Sequence, residues 1–273
     1  MDKKIIFLDI DGTLMDFQGN IPESARKALA LSREAGHRLV LCTGRTKSEI
    51  CSELLAMNFD GIIAAAGAYV ECDGQMVYRH VVAADHLKHM IDYFEENKIV
   101  YCLQTGEGIV MSERNRIGFR DNFLGMGLDE ETIWKVLSAN IIHEEDSRMR
   151  TNVEKAAYYG SPIGADRIQN VLGSYFKVEG ASYGNDTASN GEITCTGETK
   201  ATGIQRYVDF IGADIADTVG IGDGLNDVDM LGKTAIAVAM GNAKPETKAI
   251  ADYVTDHVNK DGLWKAFKYL NLI

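Results

Sequence analysis

Hydrophobic residues along this chain form short apolar runs that alternate with stretches of helical periodicity. The apolar runs have the length of buried strands and cover residues 5–8, 38–42, 61–66 and 218–221. Strands that alternate with helices favour a parallel sheet whose strands are joined by crossover helices. The pattern therefore predicts an α/β fold.

Proline and glycine residues indicate where some of these predicted elements begin and end. Pro22 opens a helical stretch that Gly36 can close, which is the usual order of proline at the start and glycine past the end. Further helices are predicted over 46–57 and over 199–211. Asp73-Gly74 separates two short apolar stretches, a strong signal for a β-hairpin.

The regular alternation of strand and helix patterns is lost between residues 83 and 190. An amphipathic helix carries Leu87, Met90, Ile91 and Phe94, and a less regular strand and helix pattern follows. The segment 182–191, rich in Gly, Asn and Ser, is typical of a linker. The sequence thus predicts a doubly wound, mainly parallel, Rossmann-like core formed by 1–82 and 191–273, with a smaller α/β cap domain inserted at 83–190.

Composition narrows the class of partner. The 273 residues are 45% hydrophobic and 25% charged, as in a soluble globular protein, and the formal net charge is −12. That charge argues against a nucleic-acid or anionic-membrane partner, because such partners bind Lys and Arg. The N-terminus lacks a signal-peptide pattern, and the five cysteines show no paired spacing. We expect a cytoplasmic protein with reduced thiols and no membrane segment.

Candidate chemistry lies first at the end of the first strand, in Asp9-Ile10-Asp11-Gly12-Thr13. Ligands of open α/β sheets bind beyond the carboxyl ends of the strands. Asp9 and Asp11 share one side of an extended chain, and two carboxylates ~4 Å apart repel by about 4 kcal/mol at an effective dielectric near 20. Mg²⁺, which prefers oxygen ligands and phosphate, is the natural counter-ion. The alternative is a solvated Asp-Gly turn.

Three further signals follow in the chain. Gly222-Asp223-Gly224-Leu225-Asn226-Asp227 also ends a predicted strand, so Asp223 can ligate a metal and Asn226 can donate to phosphate, although an Asx-turn with a helix cap fits equally well. Thr43-Gly44 is either a helix cap or a set of phosphate donors. Lys200, at a predicted helix start, is a solvated surface lysine unless an anion is bound there.

Taken in order, these four signals resemble the motifs of the haloacid dehalogenase superfamily of phosphotransferases, and the match covers the whole chain. The insertion after the third strand is similar to the Cof-type branch with an α/β cap. The resemblance implies a Mg²⁺-dependent phosphatase, a phosphoric monoester hydrolase that acts on a small phosphorylated metabolite such as a sugar phosphate or a phosphorylated cofactor. An aspartyl-phosphate intermediate is implied as well.

Residue roles carry over from the same resemblance. Asp9 would be the nucleophile and Asp11 the general acid and base. Mg²⁺ would be held by Asp223, the Asp9 carboxylate and the Asp11 backbone carbonyl. Asp227 would support these ligands without binding the ion itself. The residues implied to bind phosphate are Ile10, Thr43, Gly44, Lys200 and Asn226. The cap would close over the site and select the leaving group.

Two positions depart from the family pattern. Ala66-Gly67-Ala68 stands where Asn-Gly-Ala is common, and Ala201 stands where glycine is common. They affect the expected substrate more than the reaction. A phosphomutase of the same fold and a non-catalytic phosphometabolite-binding protein are the alternatives. The sequence identifies neither the substrate nor the oligomeric state.

Overall fold

The structure is a computed structural model that describes residues 3–131, 133, 140–180 and 189–273. The chain forms two compact units. One comprises the chain up to Gly44, Glu53–Arg79 and Thr199–Ile273, and the other comprises Arg45–Ser52 and His80–Glu198. Most of the predicted linker 182–191 lies outside the described residues, as do Met1 and Asp2.

The first unit begins with alternating strands and helices. Its first elements are β1 (Ile5–Leu8), α1 (Glu23–Glu34), β2 (Arg38–Cys42), α2 (Ser52–Leu55), β3 (Gly61–Ala64), β4 (Tyr69–Cys72) and β5 (Gln75–Arg79). The hairpin predicted at Asp73-Gly74 joins β4 to β5, and both turn residues have positive φ (49° and 77°), as a type I′ turn requires.

The second unit has its own sheet. Its elements are α3 (Ala84–Glu96), β6 (Val100–Thr105), β7 (Ile109–Met111), α4 (Glu113–Gly125), β8 (Ile141–His143), β9 (Val153–Tyr159), α5 (Ala165–Leu172), β10 (Phe176–Gly180) and β11 (Gly191–Cys195). The strand order is β10-β11-β9-β6-β7-β8, and only the β7–β8 pair is parallel. The four apolar residues predicted on one face of α3 are all buried against this sheet.

The chain then completes the first unit with α6 (Lys200–Ile211), β12 (Thr218–Gly222), α7 (Val228–Lys233), β13 (Ile236–Ala239), α8 (Pro245–Ala249), β14 (Tyr253–Val254) and α9 (Gly262–Tyr269). Its sheet has the order β14-β13-β12-β1-β2-β3-β4-β5, parallel from β14 to β3 and antiparallel beyond. On β1, Phe7 packs with α6 and α7, while Leu8 points to the opposite face and is also fully buried. The predicted α/β class and mainly parallel core are confirmed.

Two local predictions are wrong. The single helix expected over 46–57 is instead a 3₁₀ turn (Lys47–Glu49) followed by the short α2, because Ile50 between them is extended (φ −77°, ψ 121°). Glu49 stabilises that turn by accepting hydrogen bonds from the backbone N–H and the hydroxyl of Thr46 (2.9 and 2.6 Å). The sequence also predicts that the core resumes at residue 191, yet β11 pairs with β9 and β10 of the second unit. That pairing satisfies the backbone of β11 and buries Ile193.

Candidate active site

The first candidate aspartates follow β1 at the centre of the parallel sheet. The Asp9 N–H donates to the Ile221 carbonyl (3.0 Å), so the chain remains strand-like up to a side chain that is only 5% exposed. The backbone then turns, and the Ile10 carbonyl accepts from the N–H groups of Leu14 and Met15 (3.0 and 2.9 Å). Asp11 is only partly buried. The two carboxylates therefore occupy different environments.

Lys200 is the central cation of the cluster. Its Nζ donates to Asp9 Oδ1 at 2.6 Å and also to Asp227 Oδ1, and its side chain is 1% exposed. Burial acts to lower the pKa of Lys200, but Asp227 and Asp9 outweigh it and raise that pKa above the ordinary lysine value. The lysine is thus charged, and the surface position expected by default is wrong.

Asp223 and Asp227 follow β12, the neighbour of β1 in the sheet. Asp227 Oδ2 accepts the backbone N–H groups of Asp223 and Gly224 (2.9 and 2.8 Å), so Asp227 orients this loop. Asp223 is 6% exposed. Gly12 lies so close that a Cβ there would come within 2.3 Å of Asp223 Oδ2, and its φ of +85° also favours glycine. Glycine at position 12 therefore leaves the space that the Asp223 side chain occupies.

Asp9, Asp223 and Asp227 form a buried group whose carboxylate oxygens lie within 4.8 Å of one another. Burial first, and then Asp227, raise the pKa of Asp9 well above its usual range and that of Asp223 to about 7. Lys200 donates to both Asp9 and Asp227, so one cation faces three clustered carboxylates and negative charge remains in excess. A divalent cation with oxygen ligands fits this donor set.

Three of the predicted phosphate-binding residues, Thr43, Gly44 and Asn226, follow the carboxyl ends of β2 and β12. Thr43 and Gly44 directly follow β2, which pairs with β1, and Thr43 is buried. Asn226 lies in the exposed part of the 3₁₀ turn Leu225–Asp227. The structure thus joins Asp9, Lys200, Asp223 and Asp227 by direct contacts or close approach, and places Asn226 at the surface of the same loop.

Two polar residues of the site were not predicted. The Thr13 hydroxyl donates to Asp223 Oδ1 (3.3 Å), and Asn242 Nδ2 donates to Asp223 Oδ2 (3.1 Å) and to the Gly12 carbonyl (2.8 Å). Asn242 follows β13, another parallel strand of the same sheet. A polar residue after each parallel strand is the signal that could have identified it.

A left-handed turn follows β3. Ala65, Ala66 and Gly67 have φ of 49°, 53° and 100°, and each alanine in this conformation costs roughly 1–2 kcal/mol. The Ala66 N–H donates to the Thr43 carbonyl (3.1 Å), while the Thr43 N–H donates to the Ile63 carbonyl (2.8 Å). The turn is therefore bonded to one of the predicted phosphate-binding residues.

Relief of this turn should stabilise the protein. We expect Ala66→Gly to raise the free energy of unfolding by about 1 kcal/mol, because glycine adopts positive φ without the Cβ clash. Thermal unfolding followed by circular dichroism measures the change. The matched control is Ala68→Gly, where φ is −70°. Glycine there should lower the melting temperature, and equal effects of both variants would contradict the assigned strain.

Comparison with known proteins bears on this site directly. A family model described as haloacid dehalogenase-like hydrolase matches residues 6–267. The chain belongs to this family. The prediction of the superfamily from its four motifs is confirmed, as is the prediction of an enzyme, a phosphoric monoester hydrolase.

Named relatives extend over the whole chain. A 5-amino-6-(5-phospho-D-ribitylamino)uracil phosphatase of Bacillus subtilis is 27% identical over 274 residues, covering 98% of this chain and 96% of the relative. A pyridoxal phosphate phosphatase of Escherichia coli is 26% identical over 286 residues, covering both chains completely. A solved structure of a subclass IIB sugar phosphatase superposes with a TM-score of 0.80 at 27% identity, covering 99% of this chain and 100% of the other.

No helix within the described residues is both long and apolar enough to span a membrane.

Proposed function

We propose that this protein is a Mg²⁺-dependent phosphatase that hydrolyses a small phosphorylated metabolite through an aspartyl-phosphate. The observation that supports this most is the buried Lys200 bound to Asp9 and Asp227, with an oxygen of Asp223 within 4.8 Å of both carboxylates. A nucleophile needs a charged, fixed carboxylate, and Lys200 favours that state by lowering the pKa of Asp9 against the larger raising effects of burial and Asp227.

The reaction has two steps. In the first, an Asp9 oxygen attacks phosphorus, the bond from phosphorus to the ester oxygen breaks, and Asp11 donates a proton to the leaving oxygen. In the second, the Asp11 carboxylate takes a proton from water as that water attacks phosphorus. Inorganic phosphate leaves and the Asp9 carboxylate is restored. The partial exposure of Asp11 suits a group that exchanges protons with both substrate and water.

The residues that would hold Mg²⁺ are the carboxylates of Asp9 and Asp223 and the backbone carbonyl of Asp11. The ion, when bound, would neutralise part of the carboxylate charge and polarise the phosphoryl oxygens. Thr13 and Asn242 orient Asp223 toward the cluster by donating to its two oxygens. Asp227 accepts hydrogen bonds from the loop that carries Asp223 and from Lys200. It therefore supports the metal ligands without binding the ion itself.

Phosphate would be held by donors around Asp9. Lys200 supplies the charge, Thr43 a hydroxyl, and Ile10 and Gly44 backbone N–H groups. Asn226 supplies an amide from the exposed turn. Each of these groups bears hydrogen on nitrogen or oxygen, as binding of an anionic phosphoryl group requires.

The substrate is a small phosphorylated molecule. The relatives are named for a phosphoribitylamino-uracil, for pyridoxal phosphate and for sugars, and the proposed class of sugar phosphates and phosphorylated cofactors includes all three. We assign selection of the leaving group to the second unit, since all four motifs lie in the first unit. The relatives named as phosphatases favour transfer to water over the transfer to sugar that a phosphomutase performs.

The test is phosphate release from a panel of phosphorylated metabolites in the presence of Mg²⁺. The panel contains hexose and pentose phosphates, pyridoxal phosphate and a phosphorylated ribityl compound, with p-nitrophenyl phosphate as a general probe. We expect release of inorganic phosphate without added bisphosphate. A strict requirement for a sugar bisphosphate, with isomerised sugar phosphate as the product, would identify a phosphomutase. Absence of turnover on the whole panel would oppose a phosphatase of this class.

The proton-transfer role has its own prediction. Asp11→Asn should lower kcat by roughly 10²- to 10⁴-fold, the usual contribution of general acid-base catalysis, because the amide neither donates to the leaving oxygen nor accepts from water. The Asp11 backbone carbonyl is retained, so the Mg²⁺ requirement should change little. The loss should be smaller for p-nitrophenyl phosphate, whose leaving group needs less protonation. An unchanged kcat on an alkyl phosphate would remove Asp11 from this role.

A further inference from the structure

Arg206 lies on α6 and contacts two elements of the first unit. Its Nη1 donates to the Gly67 carbonyl (3.1 Å), in the left-handed turn after β3. Its guanidinium carbon lies 3.7 Å from the centre of the Tyr78 ring on β5, a close stacking distance. One planar side chain therefore connects the turn 65–67 to the antiparallel end of the sheet.

The same turn also packs on the start of α6. A Cβ at Gly67 would lie 2.0 Å from the Thr199 carbonyl, and Thr199 is the residue that caps α6 immediately before Lys200. One turn later, a Cβ at Gly203 would come within 3.1 Å of the Gly67 Cα. Backbone meets backbone at this point without an intervening side chain. A shift of the turn must therefore move the start of α6, or open a gap beside it.

The turn thus contacts one proposed phosphate-binding residue, Thr43, and the residue that precedes another, Lys200. Its Ala66 N–H bonds to Thr43, and Gly67 lies against the residue before Lys200. Lys200 in turn donates to Asp9 at 2.6 Å, so a displacement of the start of α6 changes the geometry of this contact. The conformation of the turn is unfavourable for its two alanines, so something outside it must maintain it.

We propose that Arg206 is a positioning residue for the active site: by bonding to Gly67 and stacking on Tyr78, it holds the strained turn that sets Thr43 and Lys200 around the phosphoryl group. This inference rests on the proposed phosphatase function. Arg206 touches no reacting atom in this scheme and acts only through the turn.

Arg38 provides a matched control within the same unit. Its guanidinium also bonds to a backbone carbonyl, that of Asp60 (3.3 Å), and lies 6.0 Å from the centre of an aromatic ring, that of Tyr207. It is the first residue of β2, at the end of that strand remote from Thr43. Loss of Arg38 removes these contacts together with its ion pair to Asp73 and its bond to the Tyr207 hydroxyl, and none of the contacts named here involves the turn 65–67.

The experiment compares Arg206→Met, Arg206→Lys and Arg38→Met in the full chain. Thermal melts, steady-state kinetics on p-nitrophenyl phosphate with Mg²⁺, and calorimetric binding of inorganic phosphate are measured for each. For Arg206→Met we expect KM and the phosphate Kd to rise on the order of tenfold, since a displacement near 1 Å can cost about 10²-fold. Arg206→Lys, which keeps a donor for Gly67, should fall between Arg206→Met and wild type. Arg38→Met should lower the melting temperature with KM and phosphate Kd unchanged.

A double variant tests whether Arg206 acts through the turn. Ala66→Gly lets the turn keep positive φ without the strain of an alanine, so the turn no longer needs Arg206 to hold it. The double variant Arg206→Met, Ala66→Gly should therefore have a KM within about threefold of wild type. The inference is overturned if Arg206→Met alters the melting temperature alone, as Arg38→Met should, or if Ala66→Gly gives no recovery. Failure of the proposed function is a different result, because the wild type itself would then neither release nor bind phosphate.

Discussion

Asp9→Asn should reduce phosphate release by roughly 10⁴- to 10⁶-fold, the scale of loss seen when an enzyme loses its covalent nucleophile. The amide preserves the shape of the side chain and one acceptor oxygen for Lys200, but it lacks the charge that attacks phosphorus. Rapid quench with a ³²P-labelled substrate should show labelled protein in the wild type and none in the variant. The kinetic loss and the missing label would together identify Asp9 as the nucleophile.

The fold should tolerate this substitution. Burial and Asp227 raise the pKa of Asp9 above its unfolded value, so the folded protein disfavours the ionised form of this side chain. A neutral amide removes that cost, and Lys200 keeps its bond to Asp227. We therefore expect the melting temperature to be no lower than that of the wild type. Asp217→Asn is the control, because Asp217 pairs with Lys4 outside the cluster and its loss should leave turnover intact. Wild-type turnover by Asp9→Asn would refute the covalent mechanism.

Chelation is the second change with a large expected effect. EDTA should abolish phosphate release and excess Mg²⁺ should restore it, because the buried carboxylates of Asp9 and Asp223 repel an anionic substrate until a cation is bound. Mg²⁺ should also raise the melting temperature, since an ion that binds only the folded protein stabilises it by about 2.7 kcal/mol at 100 times its Kd. This thermal shift reports metal binding without any turnover.

Asp223→Ala should require far more Mg²⁺ for any residual rate and should lose most of the thermal shift, while Asp217→Ala should retain both. The pKa of Asp223 is raised to about 7 in the metal-free protein, so its carboxylate is ionised above that pH and protonated below it. Protons and Mg²⁺ therefore compete, and the apparent Mg²⁺ affinity should weaken as the pH falls from 8 to 6. Full activity in EDTA, or a Mg²⁺ shift that survives Asp223→Ala, would exclude this ion site.

Local sequence determined much of the core. β1 and the Asp9 motif are adjacent in the chain, so an apolar run followed by polar residues predicts both the buried strand and the position of the candidate site. The Asp73-Gly74 turn was equally predictable, because two residues of positive φ fix a two-residue hairpin. The amphipathic face of α3 could be predicted from its period alone.

Features that depend on distant partners could not be obtained in this way. Ile50 breaks the expected helix over 46–57 in the folded protein, although helical propensity continues through it. β11 joins the sheet of the second unit because β9 and β10 offer it two partners, a choice that its own five residues do not encode.

The candidate site shows the same division. The sequence by itself determined which residues are candidates for the chemistry, since carboxylates and glycines after buried strands can be recognised from their immediate neighbours. Only the tertiary structure decided that Lys200 lies buried between Asp9 and Asp227, which are 191 and 27 residues away in the chain, and that Asn242 bonds to Asp223. The physical reason is that ion pairing and burial depend on which strand ends the sheet order brings together. That order is a property of the whole fold.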